Sequence, residues 1–155
     1  MRFEFVDVLK ARPAEVFAVV ADVPRKHEWV SEVIASRLTS DGPMGPGTTF
    51  EDTVRFMGRT SVVPTAFTEF DPPRKIVYRH LEGPVQAELS YVMASRGPGT
   101  ELTVTIDTQL PRYLRPLTPI LRSAMGRQMA RNFTALKDLV AAEQGSSIGA
   151  GGSER

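Results

Sequence analysis

The feature that most restricts the fold of this chain is a long alternating block followed by one long amphipathic helix. Between about residues 34 and 110, apolar residues recur at every second position, and Gly- or Pro-rich turns interrupt the pattern. Short consecutive strands of this kind predict an antiparallel sheet with one covered face. After Thr118-Pro119, a typical helix start, apolar residues recur every three or four positions to about residue 143. An apolar stripe of this kind must be buried against another part of the protein.

The residues before the alternating block predict one strand and two short helices. Residues 3–9 alternate between apolar and polar side chains, which indicates a strand. Pro13 stands at a favourable first helical position, and the valine stripe after it ends where Pro24 interrupts the helix. A second short helix is expected next, with Trp29 on its apolar face. The predicted class is therefore α+β, with a curved antiparallel β-sheet wrapped around a long C-terminal α-helix.

Length and composition limit the number of domains and exclude several kinds of site. A chain of 155 residues with 41% hydrophobic residues supports one domain with its own core. The net charge of +1 argues against general nucleic-acid binding, and the absence of Cys excludes disulfides and thiolate zinc sites. No metal-binding spacing or cofactor motif is present. No apolar run approaches the ~20 residues of a membrane span, so we expect a cytoplasmic protein without stable membrane insertion.

The composition changes close to the C-terminus. Gly and Ser dominate residues 145–152, whereas the helical stripe ends near residue 143. This composition is typical of flexible linkers and tails. We therefore predict a single domain over residues 1–144 and a disordered tail over residues 145–155.

Four local sequences suggest a family. They are Ala11-Arg12-Pro13-Ala14-Glu15-Val16-Phe17-Ala18-Val19-Val20-Ala21-Asp22, Trp29, Gly45-Pro46-Gly47-Thr48-Thr49-Phe50, and Phe70-Asp71-Pro72-Pro73-Arg74-Lys75-Ile76-Val77-Tyr78-Arg79. With the terminal helix, they resemble the START/polyketide-cyclase superfamily (SRPBCC) over about residues 3–143. The resemblance implies the helix-grip fold and a deep internal cavity between the sheet and the C-terminal helix. Such a cavity would hold a hydrophobic or amphipathic small molecule, for example a lipid, a quinone or a polyketide.

The resemblance leaves three functions open. The first, which we favour, is a binding or carrier protein without chemistry, because no group of residues in the sequence requires catalysis. The second is a polyketide cyclase/dehydrase-like enzyme in which polar residues of the cavity transfer protons. The third is a protein-interaction module of the chaperone-activator kind. Exposed strands and a long helix are also compatible with a homodimer.

His80 is the first of two candidates for proton transfer, and two tyrosines are candidates for orienting a ligand. His80 shares a strand face with Tyr78, and imidazole titrates near neutral pH. The alternative is that His80 ends its strand near Gly83-Pro84 and faces water. Tyr78 and Tyr91 carry hydroxyls that would hydrogen-bond a ligand. Their favoured alternative is core packing with the hydroxyl at the sheet edge.

Asp52 is the second candidate for proton transfer, because it falls on an apolar strand face between Phe50 and Val54. A carboxylate there would be desolvated, which raises its pKa and suits acid–base chemistry. One alternative is that this part of the strand is exposed. Another is that Asp52 pairs with an arginine such as Arg79.

The remaining candidate ligand contacts are apolar. Aromatic and Met side chains suit an irregular pocket wall, although at these spacings they are more often plain core. The candidates for ligand binding are Trp29, Phe56, Tyr78, Tyr91, Met125, Met129 and Phe133.

Arginines make the start of the C-terminal helix locally basic. They stand at positions 112, 115, 122, 127 and 131. They would attract an anionic headgroup or a membrane surface, but a solvated helix face is the favoured interpretation.

Overall fold

A computed structural model of the chain confirms the predicted α+β class. It describes residues 1–56, 58–82 and 86–153, without the side chains of Phe56 and of residues 146–153. The seven strands are β1 (Arg2–Leu9), β2 (Val33–Leu38), β3 (Thr49–Phe56), β4 (Arg59–Asp71), β5 (Lys75–His80), β6 (Ala87–Arg96) and β7 (Gly99–Thr108). They form one antiparallel sheet in the order β1-β7-β6-β5-β4-β3-β2. The strands from β2 to β7 are thus neighbours in chain order, and β1 closes the far edge on β7.

Two short helical segments follow β1, as predicted, but the second differs in kind. The first is the helix α1 (Pro13–Val20), and the second is a 3₁₀ segment (Val23–Glu28) that ends before Trp29. The expectation that Trp29 lies on a helix face is therefore wrong. Val33, which has helical spacing from Trp29, instead pairs with Val54 of β3. This sheet pairing is a long-range contact that local periodicity does not report.

The C-terminal helix α2 (Thr118–Ser153) begins where the sequence predicts and follows a 3₁₀ segment (Arg112–Leu117). It continues beyond residue 143, where the sequence predicts its end. Its last described side-chain contacts are close to that residue, since Gln144 Nε2 donates to Glu15 Oε2 at 2.6 Å. The division into a domain of residues 1–144 and a disordered tail of residues 145–155 stays a prediction.

The core lies between α2 and the sheet face that it covers. α2 approaches the edge strand β1 closely, because a Cβ on Gly126 would lie 4.0 Å from the Phe5 ring. The buried apolar stripe of α2 is Met129, Phe133, Leu136 and Val140. These residues join one hydrophobic cluster with side chains from β3, β5 and β6. The side chains of those three strands therefore face the helix and form the candidate site.

Candidate binding site in the core

A buried ion pair lies inside the core. Lys26, from the 3₁₀ segment after α1, places Nζ 2.5 Å from Oδ2 of Asp52 on β3, and the two side chains are 7% and 3% exposed. Ser36, directly opposite Asp52 on β2, donates its hydroxyl to Oδ1 at 2.6 Å. Nζ also lies 4.1 Å from the centroid of the Tyr78 ring. Burying charge is costly unless the charge is paired, and here ammonium and carboxylate neutralise each other.

The burial of Asp52 agrees with the alternation of β3, but its predicted partner is wrong. Asp52 is 2% exposed, so the alternative of an exposed strand start is also wrong. Arg79 donates to Glu88 at 2.8 Å on the exposed side of the sheet. It follows Tyr78 directly in β5, and successive strand residues point to opposite faces. An arginine at this position therefore cannot reach a carboxylate in the core.

Two tyrosines from neighbouring strands meet beside the ion pair. The hydroxyl oxygens of Tyr78 on β5 and Tyr91 on β6 are 3.1 Å apart, and the rings stack with centroids 5.7 Å apart. Both side chains pack in the core, as the favoured alternative predicts, but their hydroxyls meet inside it and not at the sheet edge. Burial raises the pKa of the Tyr78 hydroxyl far above its usual range, and the nearby Asp52 charge raises it further. Burial also raises the pKa of Tyr91 well above its usual value. Both phenols therefore stay protonated at neutral pH.

The indole of Trp29 adds a further donor to this cluster. Its ring meets Tyr91 edge-on, with centroids 5.9 Å apart. Trp29 Nε1 is buried and has no hydrogen-bond acceptor within the described part of the chain. A buried donor without an acceptor is rare, since the large majority of buried polar atoms are paired. The Tyr78–Tyr91 hydrogen bond uses only one of the two phenol protons, so the cluster is rich in donors.

His80 lies at the rim of this cluster. It is the last residue of β5 and is half-exposed. Its ring stacks on Tyr78, with centroids 6.2 Å apart and planes 17° apart, so the predicted shared face is present. Gly83 and Pro84, near which the alternative places it, lie outside the described residues. The role of His80 as an acid or base stays a prediction.

Five of the seven candidates for ligand binding belong to one buried cluster. Trp29, Tyr78, Tyr91, Met129 and Phe133 are buried in one hydrophobic cluster. Met125 is half-buried on α2. The side chain of Phe56 lies outside the described residues. Ligand contact by each of these residues stays a prediction.

Lys26 and Asn132 are among the polar residues of the core that were not predicted from the sequence. Lys26 stands in the run Pro24-Arg25-Lys26-His27-Glu28, which has the composition of a solvated turn. The available signal was its spacing of three residues from buried Val23, because residues i and i+3 eclipse in a 3₁₀ helix. Asn132 is also buried, and its Oδ1 accepts a hydrogen bond from the Ser31 backbone N–H at 3.0 Å. Its position next to Phe133 on the apolar stripe was the available signal.

The described surface has a cleft lined by both charged and apolar side chains. This cleft of about 680 Å³ lies between α1 and α2, where Arg12, Glu15, Arg25 and Glu143 line it. These charges are already paired, as Arg12 with Glu15 and Arg25 with Glu143. Among the described residues, no group of three His, Asp or Glu side chains is placed to hold a metal ion. The described helices include none that is long and apolar enough to cross a bilayer.

Solved structures share this architecture. TTHA0849 from Thermus thermophilus superposes with a TM-score of 0.77 at 18% identity, covering 92% of this chain and 99% of that one. A START superfamily protein from Mycobacterium smegmatis superposes with a TM-score of 0.75 at 18% identity, covering 91% of this chain and 97% of that one. The Zhui aromatase/cyclase from Streptomyces sp. R1128 has a TM-score of 0.74 at 16% identity, covering 91% of this chain and 93% of that one. These likenesses show the helix-grip fold.

The sequence comparisons identify the family. No curated protein matches the sequence. The family described as "Polyketide cyclase / dehydrase and lipid transport" matches residues 2–141, which is most of the chain. The chain therefore belongs to the polyketide cyclase/dehydrase and lipid transport family of the START/SRPBCC superfamily.

Proposed function

We propose that this protein binds a hydrophobic or amphipathic small molecule between the sheet and α2, and that it recognises a carbonyl oxygen of that molecule. The ligand would be a lipid, a quinone or a polyketide-like compound. The apolar cluster around Trp29, Tyr91 and Phe133 would supply most of the affinity through burial, while a few polar groups would fix the orientation.

The observation that carries the proposal is the surplus of buried donors. Trp29 Nε1 has no acceptor among the described residues, and the Tyr78–Tyr91 pair has one more proton than its mutual hydrogen bond uses. A carbonyl oxygen has two lone pairs and no proton, so it accepts from such donors without adding another. A ligand hydroxyl would bring a further donor to the site. This difference favours ketones and quinones over alcohols.

The first experiment is native mass spectrometry of the purified protein, followed by denaturing extraction of whatever is bound. A stoichiometric carbonyl-bearing molecule is the expected result. A bound pure hydrocarbon or a fully reduced alcohol would contradict the carbonyl preference.

The second experiment compares two probes that differ by one oxygen, 1-tetralone and its parent hydrocarbon tetralin. Isothermal titration calorimetry should give an affinity about fivefold higher for tetralone, since one hydrogen bond contributes about 1 kcal/mol. Trp29→Phe removes the indole N–H but keeps an aromatic side chain. It should reduce tetralone affinity to the level of tetralin and leave tetralin affinity unchanged.

Val62→Ser is the matched control, because Val62 is 57% exposed on β4 and is not part of the buried core. It should change neither affinity. Equal affinities for tetralone and tetralin in the unmodified protein would refute carbonyl recognition. Absence of binding by both probes, together with an empty native mass spectrum, would refute the binding function and favour the protein-interaction alternative.

A cyclase-like enzyme is the second candidate, and the Lys26–Asp52 pair favours it. In this candidate Asp52 accepts a proton from the carbon next to a ligand ketone. Lys26 and Tyr78 then hydrogen-bond the enolate oxygen that forms. His80, which stacks on Tyr78 at the rim, exchanges the proton taken up by Asp52 with solvent.

The enzyme candidate is tested with tetralone in D₂O, because proton NMR follows the replacement of its C2 hydrogens by deuterium. Enzyme-dependent exchange should be lost in Asp52→Asn and slowed in His80→Gln, with tetralone binding retained. Circular dichroism checks that both variants are folded. Exchange at the buffer rate in the unmodified protein would refute proton abstraction and leave the carrier function.

A further inference from the structure

The segment that leads into α2 exposes apolar side chains. Tyr113 and Leu117 belong to the 3₁₀ segment before α2 and are 78% and 43% exposed, and Ile120 in the first turn of α2 is 65% exposed. Tyr113 and Ile120 are the two most exposed large hydrophobic side chains of the described residues. Exposed apolar groups that stand together mark interaction sites more often than isolated ones do.

This segment is also purely cationic. Between Gln109 and Lys137 the sequence contains no Asp or Glu. Ile120 shares a helix face with Arg127 and Arg131, which follow it by about two and three turns. The next carboxylate on that face is Asp138, about 27 Å along the helix axis at ~1.5 Å per residue.

Six of the nine described arginines outside this segment form ion pairs, and the exceptions are Arg2, Arg55 and Arg59. Within the described chain, ion pairs are made by Arg12, Arg25, Arg37, Arg74, Arg79 and Arg96. The exposed arginines at 112, 115, 127 and 131 make none there. Their charges are therefore available to an anionic surface.

We propose that this surface, formed by Arg112, Tyr113, Arg115, Leu117 and Ile120, docks the protein on an anionic lipid bilayer. The apolar side chains would enter the boundary between headgroups and acyl chains, while the arginines attract anionic lipids. Three apolar side chains offer far less than the roughly 800 Å² per partner of a stable protein interface. A bilayer needs no such area, because it adapts to the protruding side chains. This function goes beyond the internal site and does not depend on it.

The test is co-sedimentation with vesicles of phosphatidylcholine, with and without about 30% phosphatidylglycerol. We expect binding to the anionic vesicles and a strong reduction when salt rises from about 50 mM to about 500 mM, since salt screens exposed charges. The double variant Arg112→Gln/Arg115→Gln should weaken binding about 30-fold, at about fivefold for each arginine near the surface. The double variant Tyr113→Ser/Ile120→Ser should also weaken it.

Two variants elsewhere on the surface are the matched controls. Arg59→Gln removes an exposed arginine, and Val62→Ser removes an exposed apolar residue, both from β4. Neither should change vesicle binding. Equal binding to neutral and anionic vesicles, binding that survives both double variants, or no binding would each overturn the proposal. The proposal would also be overturned if the protein self-associated, did not bind vesicles, and lost its self-association in Ile120→Ser. That result would assign the surface to a second copy of the chain.

Discussion

The buried ion pair makes the sharpest test of the structure, because removing one partner isolates the other charge. In Lys26→Met, the Asp52 carboxylate stays in the core and retains only the Ser36 hydroxyl as its described donor. The methionine fills much of the space of the lysine stem, so the variant changes the charge more than the packing. We expect a large loss of stability from one side chain.

The magnitude follows from the burial of both groups. Breaking a buried ion pair by removing one partner costs about 3–5 kcal/mol, a large fraction of the roughly 5–15 kcal/mol that stabilises a folded protein. For a chain of this length, each kcal/mol lowers the melting temperature by about 2–4 °C. Lys26→Met should therefore lower it by about 6–20 °C. The double variant Lys26→Met/Asp52→Leu removes both charges, and its stability should return close to that of the unmodified protein.

Urea denaturation of the four proteins in this cycle gives the coupling free energy. We expect at least about 2 kcal/mol, as for residues in direct contact. The control is Arg37→Met, which breaks the neighbouring cross-strand pair with Glu51, where Arg37 is 73% exposed. This variant should cost less than about 1 kcal/mol. Additive single variants, or a loss in Lys26→Met no larger than in the control, would refute the reasoning.

Two further predictions concern pH and packing. Burial raises the pKa of both Tyr78 and Tyr91, so near pH 10 only the unfolded chain releases their protons. The free energy of unfolding should therefore fall as pH rises above ~10, by up to about 2.7 kcal/mol per pH unit. Alkaline urea titrations should show roughly half this slope in Tyr78→Phe and an unchanged slope in Tyr113→Phe. A Cβ on Gly99 would lie 2.5 Å from the Leu9 carbonyl oxygen, so Gly99→Ala should cost about 1–3 kcal/mol in thermal melts. Gly45→Ala, with no atom within 4 Å of its added Cβ, should cost far less.

The strand content and element order were predictable from the sequence because they depend on local patterns. In β7 the alternation of Leu102 and Val104 with polar residues matches the observed burial. The tight turn Asp71-Pro72-Pro73-Arg74 marks the end of β4, as expected of a segment that cannot donate ladder hydrogen bonds. These features involve residues that are close in the sequence, and short-range chemistry determines them.

The site was only partly predictable, because its contacts join distant parts of the chain. Asp52 was identified from its place on the apolar face of β3, but its predicted partner was an arginine and its actual partner is Lys26. Lys26 reaches Asp52 because the 3₁₀ segment packs against β2, which pairs with β3. No spacing within the run of residues 24–28 predicts that contact. Tyr78 and Tyr91 were both candidates, yet only the β5–β6 register brings their hydroxyls together.

Local patterns predict the fold, whereas long-range contacts form the site, so family membership gives limited information about the function. The family motifs in this chain are mainly turns, the start of α1 and strand starts, although they include Trp29 and Tyr78 of the site. The other site residues, Lys26, Asp52 and Tyr91, lie on three separate elements outside those motifs. A related chain can therefore keep every turn while losing the ion pair or the donor surplus, and fold alone does not assign an activity. The tetralone comparison tests the donors themselves, so its result decides the function of this chain independently of its relatives.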